Sequence, residues 1–159
     1  MIPLDTHLQI GSLLFEGLDQ IDLTGPFEVL SRVPNSTYRL YGKTLEPVRD
    51  LHGLRLTPEA ALADAPRLDV LHVPGGFGQE ILMDDEDVLA WISKQAASAH
   101  SLFSVCTGAL LCGAAGLLKG RRATTGVVSS AALFRRDPRQ RTGRGRWELG
   151  IRRRRYGRD

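Results

Sequence analysis

Apolar positions along this chain follow two rhythms: short unbroken runs of strand length, and longer stretches with helical spacing. Leu8 to Phe15 (LQIGSLLF), mainly apolar and of strand length, predicts a buried β-strand. Gly17 to Gly25 reads as a loop, with Pro26 opening a helix through Phe27, Val29 and Leu30, since proline is tolerated in a first helical turn. Ser36 to Lys43 alternates as a second strand, and Val48 to Leu56, broken by His52 and Gly53, reads as a small hairpin. Leu68 to Val73 predicts another buried strand, ending at Pro74-Gly75-Gly76-Phe77-Gly78. Asp87 is placed to cap a helix carrying Val88, Trp91, Ile92, Gln95 and Ala96 at helical spacing. Ser101 to Val105 is the next predicted strand, Thr107 to Leu118 the next helix, and Ala123-Thr124-Thr125 begins a further strand. Strands alternating with helices predict an α/β fold, a flavodoxin- or Rossmann-like parallel sheet with helices on both faces. The working site of such a sheet lies at the carboxyl ends of its strands.

Three predicted loops reach that edge. In Leu102-Phe103-Ser104-Val105-Cys106-Thr107-Gly108-Ala109 a strand runs into a helix with no loop between. A turn that sharp holds its apex side chain outward in a strained conformation, and small neighbours such as Gly108 and Ala109 let the backbone bend. The new helix aims free N–H groups and its positive dipole end at the apex, which favours a thiolate. Cys106 is therefore the candidate nucleophile, with a small buried hydrophobe as the alternative reading of a lone cysteine. Gly75-Gly76 can offer unhindered backbone N–H groups to a developing oxyanion, or can simply be a tight turn. Asp22 lies in the loop after the first strand, where an Asp is also a common cap or turn residue.

Composition narrows the picture. At 159 residues the chain is long enough for one sizeable core, and 42% hydrophobic with 25% charged residues is ordinary for a soluble domain. Its two cysteines, six apart and read as lying on one helix, cannot form a disulfide framework. His7, His52, His72 and His100 are scattered without metal-ligand spacing, so no metal site is expected, and no histidine stands in the site motifs to build a Cys–His pair. A reducing, cytoplasmic setting is expected, with no secretory signal and no apolar run long enough to span a bilayer. Charge is unevenly divided. Residues 1–125 hold ten Lys and Arg against fifteen Asp and Glu, a net of −5, whereas 126–159 hold eleven Arg against three acidic residues, a net of +8. The overall +3 thus belongs to the tail, and it argues for no specific nucleic-acid partner.

The segments LLFEGLDQIDLTGPFEVL, LDVLHVPGGFG and above all SVCTGALLCGAAGLLKGRRATT resemble the ThiJ/PfpI superfamily within the class I glutamine-amidotransferase-like fold, and within it the isonitrile hydratase branch. The resemblance spans residues 8 to 125. It implies Cys106 as nucleophile and Asp22 as the acidic partner near its sulfur, where many relatives carry Glu. It further implies that Thr107 borders the substrate, with backbone amides of Gly75, Gly76 and Thr107 facing the reacting atoms. The implied reaction adds water to an isonitrile, a small-molecule substrate, through a cysteine thioimidate to give an N-substituted formamide, which makes the branch a lyase. It requires no metal or organic cofactor, and a full-length relative is implied to be a homodimer. The same superfamily also supplies ligand-sensing domains of transcription regulators and thiol-based stress proteins, so both remain alternative functions.

The resemblance stops at residue 126. The segment from Arg135 to Asp159 has no apolar stripe at either period and contains Arg152-Arg153-Arg154-Arg155. Arginine codons are mostly CGN, and reading one base later turns each into a GNN codon for Val, Ala, Asp, Glu or Gly. Under that shift the tail becomes a string of ordinary apolar and small residues resembling the family's continuation. The expectation is therefore a partial α/β domain over 1–125, followed by an out-of-frame, disordered arginine-rich tail over 126–159.

Overall fold

The structure, a computed structural model, describes residues 5–121 and 123–125. Its centre is a five-stranded sheet in which every pairing is parallel. The strands are β1 (Leu8–Leu14), β2 (Ser36–Gly42), β5 (Ala60–Ala61), β6 (Val70–Val73) and β7 (Ser101–Ser104), in the order β5-β2-β1-β6-β7. The reversal of strand order lies beside β1, the placement that opens a crevice at the carboxyl edge. The predicted hairpin is present as β3 (Val48–Arg49) paired antiparallel with β4 (Arg55–Leu56).

Both faces of the sheet carry helices, and residue parity shows which. Side chains alternate across a strand, so Tyr38 and Tyr41 on β2 point to opposite faces. Helix α1 (Gln20–Leu30) meets the first through an edge-on Phe27–Tyr38 contact at 5.0 Å. Helix α3 (Glu86–Ser98) meets the second through Trp91, 6.1 Å from the Tyr41 ring. The core gathers Leu13, Leu14, Leu18, Leu71, Val73, Ile92 and Leu111, all at most 1% exposed. Each such side chain contributes roughly 1.5–3 kcal/mol of burial free energy.

Several boundaries differ from the sequence expectation. Helix α1 begins at Gln20, six residues before Pro26, so Asp22 sits in a first helical turn rather than a loop. Its cap is Asp19, whose carboxylate accepts from the Ile21 N–H, and Pro26 lies inside. Helix α3 is capped by Asp85, which accepts from Val88 N–H, and not by Asp87. A short helix α2 (Gln79–Leu82), not anticipated, follows the glycine-rich loop. Helix α4 covers only Gly108–Ala114, so Cys112 lies on it and Cys106 precedes it. No strand is present over residues 123–125. The arginine-rich tail and its expected disorder lie outside the described residues.

Gly108 shows how tightly α4 is set against the sheet. A Cβ there would stand 2.2 Å from the Val73 carbonyl oxygen and 2.7 Å from that of Pro74, both backbone atoms that cannot step aside. Gly108→Ala is expected to cost about 1–3 kcal/mol, the range of an overpacked buried site. The check is the midpoint of urea unfolding at unchanged slope. A wild-type midpoint would show that the elbow can open at no cost.

Candidate active site

Three carboxyl-edge loops converge, held by backbone hydrogen bonds. The loop after β1 is tied to the loop after β6 by Asp19 N–H to Gly75 O at 2.9 Å and Gly78 N–H to Gly17 O at 3.0 Å. Beyond β7, Val105 N–H donates to Val73 O at 3.1 Å, and Gly108 N–H closes the turn onto Val105 O at 2.9 Å. Cys106 stands at the apex of that turn with φ of 53°, in the left-handed region. That conformation in a residue with a side chain stores about 1–3 kcal/mol, so the strain expected at the apex is there.

Gly75 marks the point where the predicted residues meet. A Cβ on it would lie 2.7 Å from Asp22 Oδ2, 2.7 Å from the Thr107 amide nitrogen and 2.9 Å from Cys106 Cβ. Only a residue without a side chain lets these groups share one space. Asp22 and Thr107 are buried, whereas Cys106 is half-buried and retains an opening to solvent. Asp22 Oδ2 is itself buried. It closes no hydrogen bond of ordinary geometry with the described residues, although the Cys106 thiol and the Gly75 backbone are close enough to influence its ionisation.

Gly76 plays a different part from the one expected. Its N–H donates to Thr107 Oγ1 at 2.9 Å, so it is engaged within the protein. At the meeting point the Gly75 backbone faces Asp22 and the Thr107 amide faces Cys106. Thr107 Oγ1 in turn lies 3.0 Å from Gln79 Oε1 on α2, a buried pair that ties the elbow to the glycine loop.

Electrostatics at the site departs from the sequence expectation. Burial pushes the Cys106 thiol above its ordinary 9.0, the Thr107 amide opposes this, and the charge of Asp22 adds to the rise. The thiolate is therefore not favoured as the turn geometry alone suggested, because a partly desolvated thiol shares its space with a carboxyl group. Asp22 is raised from its ordinary 3.8, first by burial, against the lowering effect of Cys106 and with a further rise from Asp19. Asp22 thus holds the thiol up while the thiol holds the carboxyl down, so the ionisation of each depends on the other.

The sequence reading found no histidine in the site motifs, yet the structure places His72 fully buried on β6, two residues before Pro74. Its Nδ1 lies 2.6 Å from Ser12 Oγ, which also contacts the Tyr38 hydroxyl, and its ring stacks on Phe103 at 4.6 Å. Burial pushes the imidazole down to about 4, so it is neutral at physiological pH. The available signal was Ser12 and His72, polar residues at buried positions of β1 and β6. Among the described residues no group of His, Cys, Asp or Glu is arranged to hold a metal ion. No helix among them is long and apolar enough to cross a membrane.

The chain is similar to several known proteins. The model of the DJ-1/PfpI family matches residues 9–141. The isonitrile hydratase of Pseudomonas putida is 52% identical over 118 residues, covering 74% of this chain and 52% of the hydratase. The HTH-type transcriptional regulator GbdR of Pseudomonas aeruginosa is 32% identical over 137 residues, covering 82% of this chain and 37% of the regulator. A crystal structure of a ThiJ/PfpI family protein from Pseudomonas syringae superposes with a TM-score of 0.69 at 36% identity, covering 72% of this chain and 48% of that one. The chain thus spans about half the length of the hydratase it matches.

Proposed function

The chain belongs to the DJ-1/PfpI family, and we propose that within it this protein carries the catalytic elements of an isonitrile hydratase, with Cys106 as nucleophile and Asp22 as acid–base partner. What carries the reading is the meeting of Cys106, Asp22 and Thr107 around Gly75, in a chain 52% identical over 118 residues to a named isonitrile hydratase.

The chemistry follows from the shared proton. The terminal carbon of an isonitrile holds a lone pair and takes a proton from the Asp22–Cys106 pair. The Cys106 sulfur bonds to the same carbon as it becomes electrophilic, giving a thioimidate, R–N=CH–S–Cys. Water then adds to that carbon as the Asp22 carboxylate takes its proton and passes it to the nitrogen. The resulting R–NH–CH(OH)–S–Cys collapses to the formamide R–NH–CHO, expelling the thiolate as its hydroxyl proton returns to the Asp22 carboxylate, so the sum is one isonitrile and one water and the pair again holds one proton. In this reading the Gly75 and Thr107 amides stabilise the charge that changes hands on sulfur and carbon, and Gly76 contributes by holding Thr107.

The test is direct. The chain as it stands, and a version with the reading frame restored after Thr125, are incubated with an alkyl isonitrile and followed for the formamide proton by NMR. Hydration is expected in the frame-restored chain, and its absence from both forms would overturn the reading. Resequencing the coding DNA around codon 126 tests the frameshift itself. A second reading, a ligand-sensing domain, draws on the likeness to GbdR. It predicts saturable isonitrile binding without turnover.

A further inference from the structure

At the carboxyl end of β1 lies a cleft of about 190 Å³ that the chemistry above does not use. Leu13, Leu14 and Phe15 line it from the end of β1, Val48 from β3, Leu82 from α2 and Val88 from α3. Leu13, Leu14, Phe15 and Val88 are at most 5% exposed, so the cleft reaches down to the main core. Neither Cys106, Asp22, Gly75 nor Thr107 lines it. The polar side chains of its lining, Glu16, Lys43 and Thr44, are exposed and stand at its mouth. Each is engaged within the protein. Glu16 Oε2 accepts from Arg49 N–H at 2.8 Å, and Thr44 Oγ1 accepts from Glu46 N–H at 3.3 Å. Lys43 Nζ pairs with Asp85 at 2.6 Å and with Asp87 at 3.3 Å.

We propose that this cleft is a second ligand site, which takes a neutral apolar molecule of about six to eight non-hydrogen atoms, a single hydrocarbon ring in size. The size follows from the volume, since apolar cavities of about 150 Å³ accept benzene. The neutrality follows from the mouth. An anion would meet an ammonium group already shared by two carboxylates, and a cation would meet a Glu16 oxygen already spent on Arg49 N–H. Either would give up its water for six apolar side chains that return no hydrogen bond. Water inside is held poorly for the same reason, so an apolar occupant displaces it at a gain. The site adjoins the catalytic edge without sharing a side chain with it. Gly17, next to Glu16, donates to Arg49 O at 2.7 Å and accepts from Gly78 N–H at 3.0 Å. A molecule in the cleft therefore rests against the segment that ties down the loop after β6.

The test is a titration of the full chain with benzene, followed by saturation-transfer NMR. Saturable binding is expected with a Kd of about 1 mM. Benzoate and benzylammonium, the same ring with a charge of either sign, should bind at least about tenfold more weakly. Leu82→Phe and Val48→Phe each place a ring of the protein's own in the cleft from a different element. Each should abolish benzene binding while Cys112 stays protected from iodoacetamide, which reports an intact core. Should one of them expose Cys112, the other decides. Benzene that fails to saturate up to its solubility limit would overturn the proposal. So would benzoate or benzylammonium binding as tightly as benzene, or parental benzene binding in a folded Leu82→Phe or Val48→Phe chain. The titration uses neither isonitrile nor the Cys106 thiol, so it stands apart from the outcome of the hydration assay.

Discussion

Iodoacetamide at neutral pH is expected to label Cys106 at least about a hundredfold faster than Cys112. The two thiols differ in access and in ionisation. Cys112 is fully buried in α4 within the main core, and burial pushes its thiol up to about 11. At pH 7 such a thiol is ionised in about one molecule in ten thousand. It also cannot meet a reagent until α4 opens, a core event with a free energy approaching that of global unfolding. Cys106 is also raised, yet it stands at a turn with an opening to solvent, and its shift comes from partial burial and one carboxylate. A time course with peptide mapping measures both rates in one sample. Equal labelling, or Cys112 reacting first, would place the reactive thiol on the wrong residue and remove the basis for the proposed chemistry.

The parts of this molecule legible in the sequence are those written in consecutive residues. Leu8 to Leu14 and Ser101 to Ser104 are strands where apolar residues gather over strand length between turn residues, as suits a parallel sheet. The strained apex at Cys106 was legible because a strand and a helix meet there without a spacer. Misreadings arose where one local rule met a competing one. Pro26 signals a first turn, but Asp19 caps earlier and the helix accommodates the proline inside. Asp87 precedes the apolar stripe of α3, but the side chain that accepts from Val88 N–H is two residues upstream. What stayed hidden depends on groups distant in sequence. Gln79 reaches Thr107 across 28 positions, and Ser12 reaches His72 across 60. The thiol's shift also needs the third dimension, since nothing in SVCTGALL says that Asp22 will share space with its sulfur.

The sharpest prediction follows from that shared space, because two reactions of one sulfur should respond oppositely to one substitution. Asp22→Asn removes a charge and a hydrogen-bond acceptor that both hold the Cys106 thiol up. Alkylation at pH 7 should therefore become faster. Isonitrile hydration needs a proton for the substrate carbon and a base for water, and asparagine supplies neither. Hydration should fall by about 10²–10⁴-fold, the range for loss of a positioned acid–base group. Cys106→Ala should lose about 10⁴-fold or more, the scale of a missing covalent nucleophile. The parent profile of kcat/KM against pH should be a bell, since only the pair holding one proton has both nucleophile and acid. Its rise comes as the doubly protonated pair loses a proton, above the ordinary carboxylate value of 3.8 because Asp22 is raised. Its fall comes as the last proton leaves, above the ordinary thiol value of 9.0 because Cys106 is raised. In Asp22→Asn the midpoint for thiol alkylation should drop while hydration stays low at every pH. Formamide production by NMR and alkylation by mass spectrometry give the two profiles from one preparation of the hydrating form. Near-parental hydration by Asp22→Asn, or slower alkylation in a folded Asp22→Asn chain, would show that Asp22 and Cys106 do not share a proton.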